Sequence, residues 1–270
     1  MYIRHNISAM NTTRQLQQAN KGINKNTEKL ATSLRINRAG DDVAGLSISE
    51  KLRAQIAGLS KASKNTQDGI SLIQTGEGAL AEVNSMLVRG RGLAVQAAND
   101  TNTADDRQQL QKEYTALLEE VDRICQDTEF NTMKLFDGSK EALQLQLGAN
   151  AHQSQTLQLP QINTVQLQLT RTEITSHEAA MKAVTALDEA AKQVTDARAQ
   201  FGALQNGFGH NITNLGQTGE NLTSADSVIR DANMAFEVMG ITKNEILRDT
   251  MQSALSHLEA KNDWVLNLLN

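Results

Sequence analysis

The sequence predicts a mainly α-helical protein. The expected architecture is a long antiparallel helical rod with a small β-hairpin region, plus N- and C-terminal helices that pair as a coiled coil. Two observations carry this prediction. Apolar residues recur every three or four positions through most of the chain. The 270 residues include a single proline, Pro160, and only 3% aromatic residues, which is typical of long helices packed side by side.

Heptad seams are predicted at the two ends of the chain. The N-terminal apolar residues are four and three residues apart, with a polar interval around Arg14 and Gln17. The same spacing runs from Leu247 onward and is interrupted at Lys261. Such seams can be buried against each other, against an intervening domain or against other copies of the chain, and we expect the two ends to pair as a coiled coil. The predicted packing residues are Ile3, Ile7, Met10, Ile23, Leu30, Leu34, Leu247, Met251, Leu258, Val265 and Leu268.

A connector is predicted at residues 35–42, where Gly40 interrupts the apolar spacing. Asp41 and Asp42 are suited to cap the helix that follows. The stripe then continues from Val43 to about residue 99, a rod of roughly 80 Å at 1.5 Å per residue. A turn cluster at 99–103 and a further helix to about residue 128 complete an antiparallel helical hairpin.

The period changes to two between about residues 130 and 170, which predicts a β-hairpin region. The alternating residues are Leu143, Leu145 and Leu147, then Leu157 and Leu159, then Val165, Leu167 and Leu169. The helical period returns near Ser176 and continues towards Met234, although Gly207 and Gly209 leave open whether this last long helix is unbroken. We therefore predict a terminal coiled-coil domain at 1–42 and 236–270 and a helical rod domain at 43–235.

Composition argues against several functional classes. The net charge is −5 and the basic residues are dispersed, which disfavours nucleic acid as a partner. The chain has no apolar run of the roughly 18 to 20 residues that span a bilayer, and its start lacks the pattern of a cleaved signal peptide, so we expect neither membrane insertion nor that type of export. Cys125 is the only cysteine, which excludes an intrachain disulfide.

No catalytic, cofactor-binding or metal site is predicted. His177-Glu178-Ala179-Ala180-Met181 is close to the zinc-protease pattern H-E-x-x-H, but Met181 cannot replace the second imidazole that holds the metal. Gly69, Gly76 and Gly78 lack the spacing of a phosphate-binding loop, and we expect them to serve close packing instead.

Several segments carry a family resemblance. Leu34-Arg35-Ile36-Asn37-Arg38-Ala39-Gly40-Asp41-Asp42, with Ala44-Gly45-Leu46 and Ser49-Glu50-Lys51, resembles the signature of bacterial flagellins. The resemblance continues through residues 62–75, 221–225 and 229–232. About 45 residues separate Phe130 from the resumed helix, so the chain is similar to a flagellin without the large variable outer domain.

The resemblance implies a structural, non-enzymatic subunit that polymerises with itself into the flagellar filament for motility. It further implies an extracellular location, export by the flagellar type III apparatus, an export chaperone, a filament cap and hook-junction proteins as partners. A hook-filament junction adaptor of the same superfamily is the alternative, and an enzyme using the His177-Glu178 pair is a more distant one.

A further resemblance concerns a surface of the rod. The segment 87–93, together with Glu113, resembles the flagellin surface that animal innate immune receptors detect. Leu87, Arg89 and Glu113 are the residues that match. The alternative is that these residues contact neighbouring subunits.

Overall fold

The computed structural model describes the backbone of residues 6–269 and the side chains of residues 6–261 and Trp264. The described chain contains five α-helices and two small antiparallel sheets, which confirms the mainly α prediction. The helices are α1 Ile7–Thr32, α2 Val43–Ala97, α3 Ala104–Asp127, α4 His177–Arg230 and α5 Met234–Leu269. The strands are β1 Glu129–Phe130, β2 Met133–Lys134, β3 Ala142–Gln146 and β4 Ser154–Gln158.

The chain divides into two compact units, whose boundaries fall inside α2 and α4. One unit contains the chain up to Ala54 and the chain from Asn221 onward, and it holds the antiparallel pair of α1 and α5. The other unit, Gln55–Glu220, holds the main hydrophobic core. The pairings of α1 with α5 and of α2 with α4 agree with the predicted terminal pair and antiparallel rod.

Within the unit Gln55–Glu220, α2 and α4 pack glycines against large side chains. A Cβ added at Gly69 would lie 3.1 Å from the Phe208 ring, and one added at Gly76 would lie 2.9 Å from the Phe201 ring. The two glycines are seven residues apart on α2, and the two phenylalanines are seven residues apart on α4. A step of seven residues returns to the same face of a helix. The two helices therefore approach closely along one continuous edge.

The helix α4 is continuous through Gly207 and Gly209, which settles the question that the sequence left open. A Cβ at either glycine would meet no other atom within 4 Å, so these glycines are not required by close packing. Phe208 between them is buried in the core. Each helix-interior glycine costs about 1 kcal/mol relative to alanine, and burial of one phenylalanine contributes about 1.5–3 kcal/mol in the opposite direction.

The strands β3 and β4 form the predicted hairpin, with Leu143 opposite Leu157. The hairpin lies against α2, because a Cβ at Gly69 would be 2.9 Å from Leu145 and one at Gly58 would be 2.9 Å from Ala149. The two-residue ladder of β1 and β2 adds a second small sheet at residues 129–134.

The third alternating stretch of the sequence forms turns rather than a strand. Leu169 N–H donates to the carbonyl of Thr164, and Gln168 has a φ of 58°. Leu167 and Leu169 are buried, whereas Val165 is exposed. The Asp122 carboxylate holds the segment to α3 by accepting from the Thr164 N–H at 2.8 Å and from its hydroxyl at 2.6 Å. The alternation therefore reflects successive turns that direct leucines into the core.

Candidate functional site: the terminal helix pair and its connector

The helices α1 and α5 pack through one face of each. On α1 a series of partly or fully buried residues is spaced three and four apart, namely Ala9, Thr12, Leu16, Ala19, Ile23, Asn26 and Leu30. The series on α5 is Glu237, Ile241, Asn244, Arg248, Met251, Leu255 and Leu258. This is the spacing of a coiled-coil pair, in which each heptad places two residues against the partner.

The residues predicted for this interface lie in different surroundings. Four belong to the two buried series: Ile23, Leu30, Met251 and Leu258. Three lie on the helices with exposed fractions of 70%, 63% and 38%: Ile7, Met10 and Leu247, respectively. Leu34 follows α1 and forms a β-bridge with Asp231. One residue, Ile3, lies outside the described residues, and the side chains of Val265 and Leu268 lie outside the described side chains.

Sequence reasoning missed Leu16 and Ala19, although a signal for them existed. Both residues are reached from Ile23 by stepping back four and then three positions. The prediction instead began its seam at the apolar residues nearest the N-terminus. A helix with apolar residues on more than one face has more than one candidate seam, and the position of the partner helix decides which one is buried.

The pair contains one nearly buried ion pair. Glu237 of α5 is 7% exposed, and its carboxylate lies 3.1 Å from Lys29 Nζ of α1. A carboxylate in this surrounding must be paired, because leaving it alone after removal of one partner costs several kcal/mol. The contact joins the last turns of α1 to the first turn of α5.

The connector folds back onto the end of α1 through two ion pairs. Lys25 Nζ lies 2.8 Å from the Asp41 carboxylate, and the Arg38 guanidinium lies 2.8 Å from Glu28. Asp41 also accepts the backbone N–H groups of Asn37 and Arg38. The hydrogen bond from Lys25 lowers the pKa of Asp41 from its ordinary value of 3.8, and it raises the pKa of Lys25. The carboxylate therefore stays ionised while it closes the connector.

The connector joins α2 through a second aspartate and one apolar anchor. Asp42 precedes α2 and accepts the Gly45 N–H at 2.9 Å, which satisfies a free donor of the first turn. Ile36 is 2% exposed, and its side chain lies 2.8 Å from the position that a Cβ would take at Gly45. A larger residue at position 45 would displace the ends of the Ile36 and Asp42 side chains, so the glycine leaves room for both. This contact gives a structural reason for Ile36 and Gly45 in the segments that resemble flagellins.

Hydrogen bonds join the segment that follows α1 to the segment that precedes α5. Arg35 N–H donates to the Arg230 carbonyl at 2.7 Å, and Ala232 N–H donates to the Ser33 carbonyl at 3.0 Å. The Arg35 guanidinium also donates to the carbonyl of Ile229. The two bonds from Arg35 satisfy carbonyls at the end of α4, and the bond from Ala232 satisfies the carbonyl of Ser33 after α1.

The predicted receptor surface lies on α2 and α3 in the unit Gln55–Glu220. Arg89 and Glu113 form an exposed ion pair at 2.6 Å. Leu87 is 1% exposed and belongs to the hydrophobic core, with Tyr114 in the same cluster. Of the three predicted residues, only the charged pair faces outward.

The histidine and cysteine considered in the sequence analysis lie in local hydrogen-bonding or buried positions. His177 Nδ1 lies 2.6 Å from the Ala98 carbonyl, just beyond the end of α2. The described residues contain no group of three or more potential ligands that could hold a metal. Cys125 is buried, and burial raises the pKa of its thiol to about 12. None of the helices in the described part of the chain combines the length and apolarity that a membrane span requires.

The comparisons with known proteins agree on one family. Residues 3–141 match the bacterial flagellin N-terminal helical region, and residues 184–269 match the bacterial flagellin C-terminal helical region. The chain is 48% identical to flagellin of Halalkalibacterium halodurans and 44% identical to flagellin of Bacillus subtilis, with full coverage of both chains in each case. It is 37% identical to the crystal structure of Bacillus cereus flagellin, with a TM-score of 0.51 over 56% of this chain and 88% of that one.

Paired terminal helices and the helical unit Gln55–Glu220 are the architecture of a structural subunit. Together with these matches, they place the chain in a definite family. The chain belongs to the bacterial flagellins. It is a non-enzymatic subunit of the flagellar filament, and its place is in that extracellular filament.

Proposed function

We propose that subunits join through the terminal helix pair, with the terminal domain at 1–42 and 236–270 and the rod domain at 43–235. One observation carries this assignment. The α1·α5 pair leaves several large apolar side chains of both helices open to solvent: Ile7, Met10, Phe236, Met239 and Ile246. Exposed apolar clusters mark sites of protein interaction. Neighbouring copies of the same pair are the occupants that a self-polymerising family requires.

The energetic reason for assembly follows from the same residues. Complete burial of one such side chain contributes about 1.5–3 kcal/mol, so five of them on each subunit supply a substantial driving force. A head-to-tail contact between identical subunits that does not close into a ring produces an open helical polymer. The predicted packing residues Ile7, Met10 and Leu247 then serve contacts between subunits, while Met251 and Leu258 serve the pair within one subunit.

The partners of this process are also proposals. Family membership supports export by the flagellar type III apparatus without a cleaved signal peptide, an export chaperone, a filament cap and hook-junction proteins. The short segment between α3 and α4 supports the absence of a large variable outer domain. The innate-receptor surface rests on Arg89 and Glu113, whose ion pair is exposed.

Electron microscopy of the purified chain tests the proposal. The protein is concentrated with a precipitating salt and short filament seeds, and we expect long tubes with a regular helical repeat. Persistent monomers in the presence of seeds would instead favour the junction adaptor. That outcome would contradict the filament role.

The variant Leu258→Asp tests the role of the terminal pair. It places a charge on the buried face of α5, where no partner for it is expected, and we predict that filaments no longer form. The helical signal of the unit Gln55–Glu220 should persist. Gln252→Asp adds the same charge at an exposed position of α5 and serves as the control. Normal filaments from Leu258→Asp would rule out the pairing as the basis of assembly.

A further inference from the structure

Two asparagines face two glycines across the α1·α5 pair. Asn244 of α5 lies over Gly22 of α1, where an added Cβ would be 2.6 Å from the asparagine Nδ2. Asn26 of α1 lies over Gly240 of α5 in the same way. All four residues are partly buried. Each helix thus supplies one asparagine and one glycine, and each glycine leaves the space that the opposite amide occupies.

The two contacts share one register with the Lys29 to Glu237 ion pair. The step from Gly22 to Asn26 is four residues forward on α1, and the step from Asn244 to Gly240 is four residues back on α5. The next step is three residues on each helix and leads to Lys29 and Glu237. Two packing contacts and one ion pair, on consecutive turns, therefore belong to the same alignment of the two helices.

The apolar residues of the pair do not define this alignment by themselves. Leu16, Ile23 and Leu30 recur at intervals of seven on α1, and Met251 and Leu258 are also seven apart on α5. A shift of one helix by one heptad therefore keeps apolar residues in the seam. The backbone hydrogen bonds between residues 33–35 and 229–232 oppose such a shift at the connector end of the pair, and a second feature distinguishes the registers within the pair itself.

The asparagines make that distinction. After a shift by one heptad in one direction, Asn26 faces Leu247 and Gly22 faces Met251. A shift in the other direction places Asn26 and Lys29 beyond the start of α5 at Met234, so neither residue meets a partner on that helix. In neither shifted register does an asparagine meet a glycine. The amides then lack the space that the glycines provide, and Glu237 loses Lys29.

We propose that Asn26 and Asn244, each seated on a glycine of the other helix, specify the register in which α1 and α5 pair. An asparagine at a coiled-coil position costs stability, but it penalises every register that places its amide against a large apolar side chain. The inference rests on the proposed role of the pair in assembly. In this proposal the two asparagines and two glycines determine which register the helices adopt, and they do not add to the stability of the pair.

Spin-label distances in filaments of the full chain test this assignment. Labels are attached to Gln17→Cys on α1 and Gln252→Cys on α5, both exposed positions, while the buried Cys125 stays unlabelled. Labelled subunits are diluted with unlabelled ones, so that only distances within one chain are measured. The unsubstituted interface should give a single distance.

The double variant N26L/N244L removes both amides and should add a second population of distances. A shift by one heptad displaces the helices by about 10 Å along their axis, which the labels resolve. The control N20L/N24L makes the same exchange at two exposed positions of α1 and should keep the single distance. Exchanging the partners in G22N/N244G/N26G/G240N keeps both contacts in the same register and should also give a single distance.

A single unchanged distance in N26L/N244L would overturn the assignment, as would a second distance in the four-residue exchange. If N26L/N244L does not assemble, the single variants N26L and N244L are measured, and an unchanged distance in both is equally contrary. Failure of the unsubstituted chain to form filaments would count against the proposed assembly instead. The two failures are therefore distinguishable.

Discussion

Alanine at Gly76 and at Gly78 should have different effects on stability, although both glycines lie in the middle of α2. A Cβ at Gly76 would lie 2.9 Å from the Phe201 ring and 3.4 Å from the Phe136 ring, whereas a Cβ at Gly78 would meet no atom within 4 Å. Both substitutions gain about 1 kcal/mol of helix propensity. Only Gly76→Ala also introduces overpacking, which typically costs about 1–3 kcal/mol.

We therefore expect Gly78→Ala to stabilise the protein by about 1 kcal/mol and Gly76→Ala to leave it unchanged or less stable by up to about 2 kcal/mol. The difference between the two variants isolates the packing contribution, because their gain in helix propensity is the same. Urea unfolding followed by far-UV circular dichroism measures both, provided that the slope of the transition is the same in the two variants.

The double variant Gly76→Ala with Phe201→Leu identifies the group responsible. If the Phe201 ring is the obstacle, the cost of Gly76→Ala should fall by about 1 kcal/mol in the Phe201→Leu background. Equal stabilities for Gly76→Ala and Gly78→Ala, within about 0.5 kcal/mol, would refute the close approach of α2 and α4 as the reason for this glycine.

Two further predictions concern the connector and the buried thiol. Asp41→Asn should increase hydrogen exchange of the connector amides about five-fold at neutral pH, equivalent to about 1 kcal/mol. The folded-state pKa of Asp41 is lowered from 3.8, so its contribution to stability is present above that pH and is lost as the pH falls through the folded pKa. The difference in hydrogen exchange between Asp41→Asn and the unsubstituted protein should therefore shrink at low pH. A pH-independent difference would contradict the ionic origin. Cys125, with its pKa raised to about 12 by burial, should resist iodoacetamide at pH 8 until the protein is unfolded, and rapid labelling of the native protein would show that the core opens readily.

Local regularities were sufficient to predict the helical elements. The three- and four-residue spacing and the lack of proline between Val43 and Ala97 define α2 without reference to any other part of the chain. Thr103, at the end of the turn cluster, and Asp106, in the first turn of α3, form a capping box that depends only on neighbouring residues. The leucine alternation likewise located β3 and β4.

Which face of an element is buried, and what each residue contacts, could not be predicted from the element's own sequence. Val165 to Leu169 alternates as a strand would, yet it forms turns because Asp122 on α3 fixes Thr164 and the core accepts the two leucines. Similarly, Gly76 and Gly78 look equivalent in the sequence, but only Gly76 faces Phe201. Burial of a residue depends on which element packs against it, and the sequence of a single segment does not show this.

The terminal helices show the same division most directly. The heptad spacing by itself predicted that both ends are helical and suited to pair as a coiled coil, and the structure shows that α1 and α5 do pair. Which face is buried was decided by the tertiary structure: Ile23 and Met251 lie inside the pair, whereas Ile7 and Met10 stay outside. The physical reason is that burial depends on the partner helix: Gly22 and Gly240 lie against Asn244 and Asn26, residues more than two hundred positions away in the sequence.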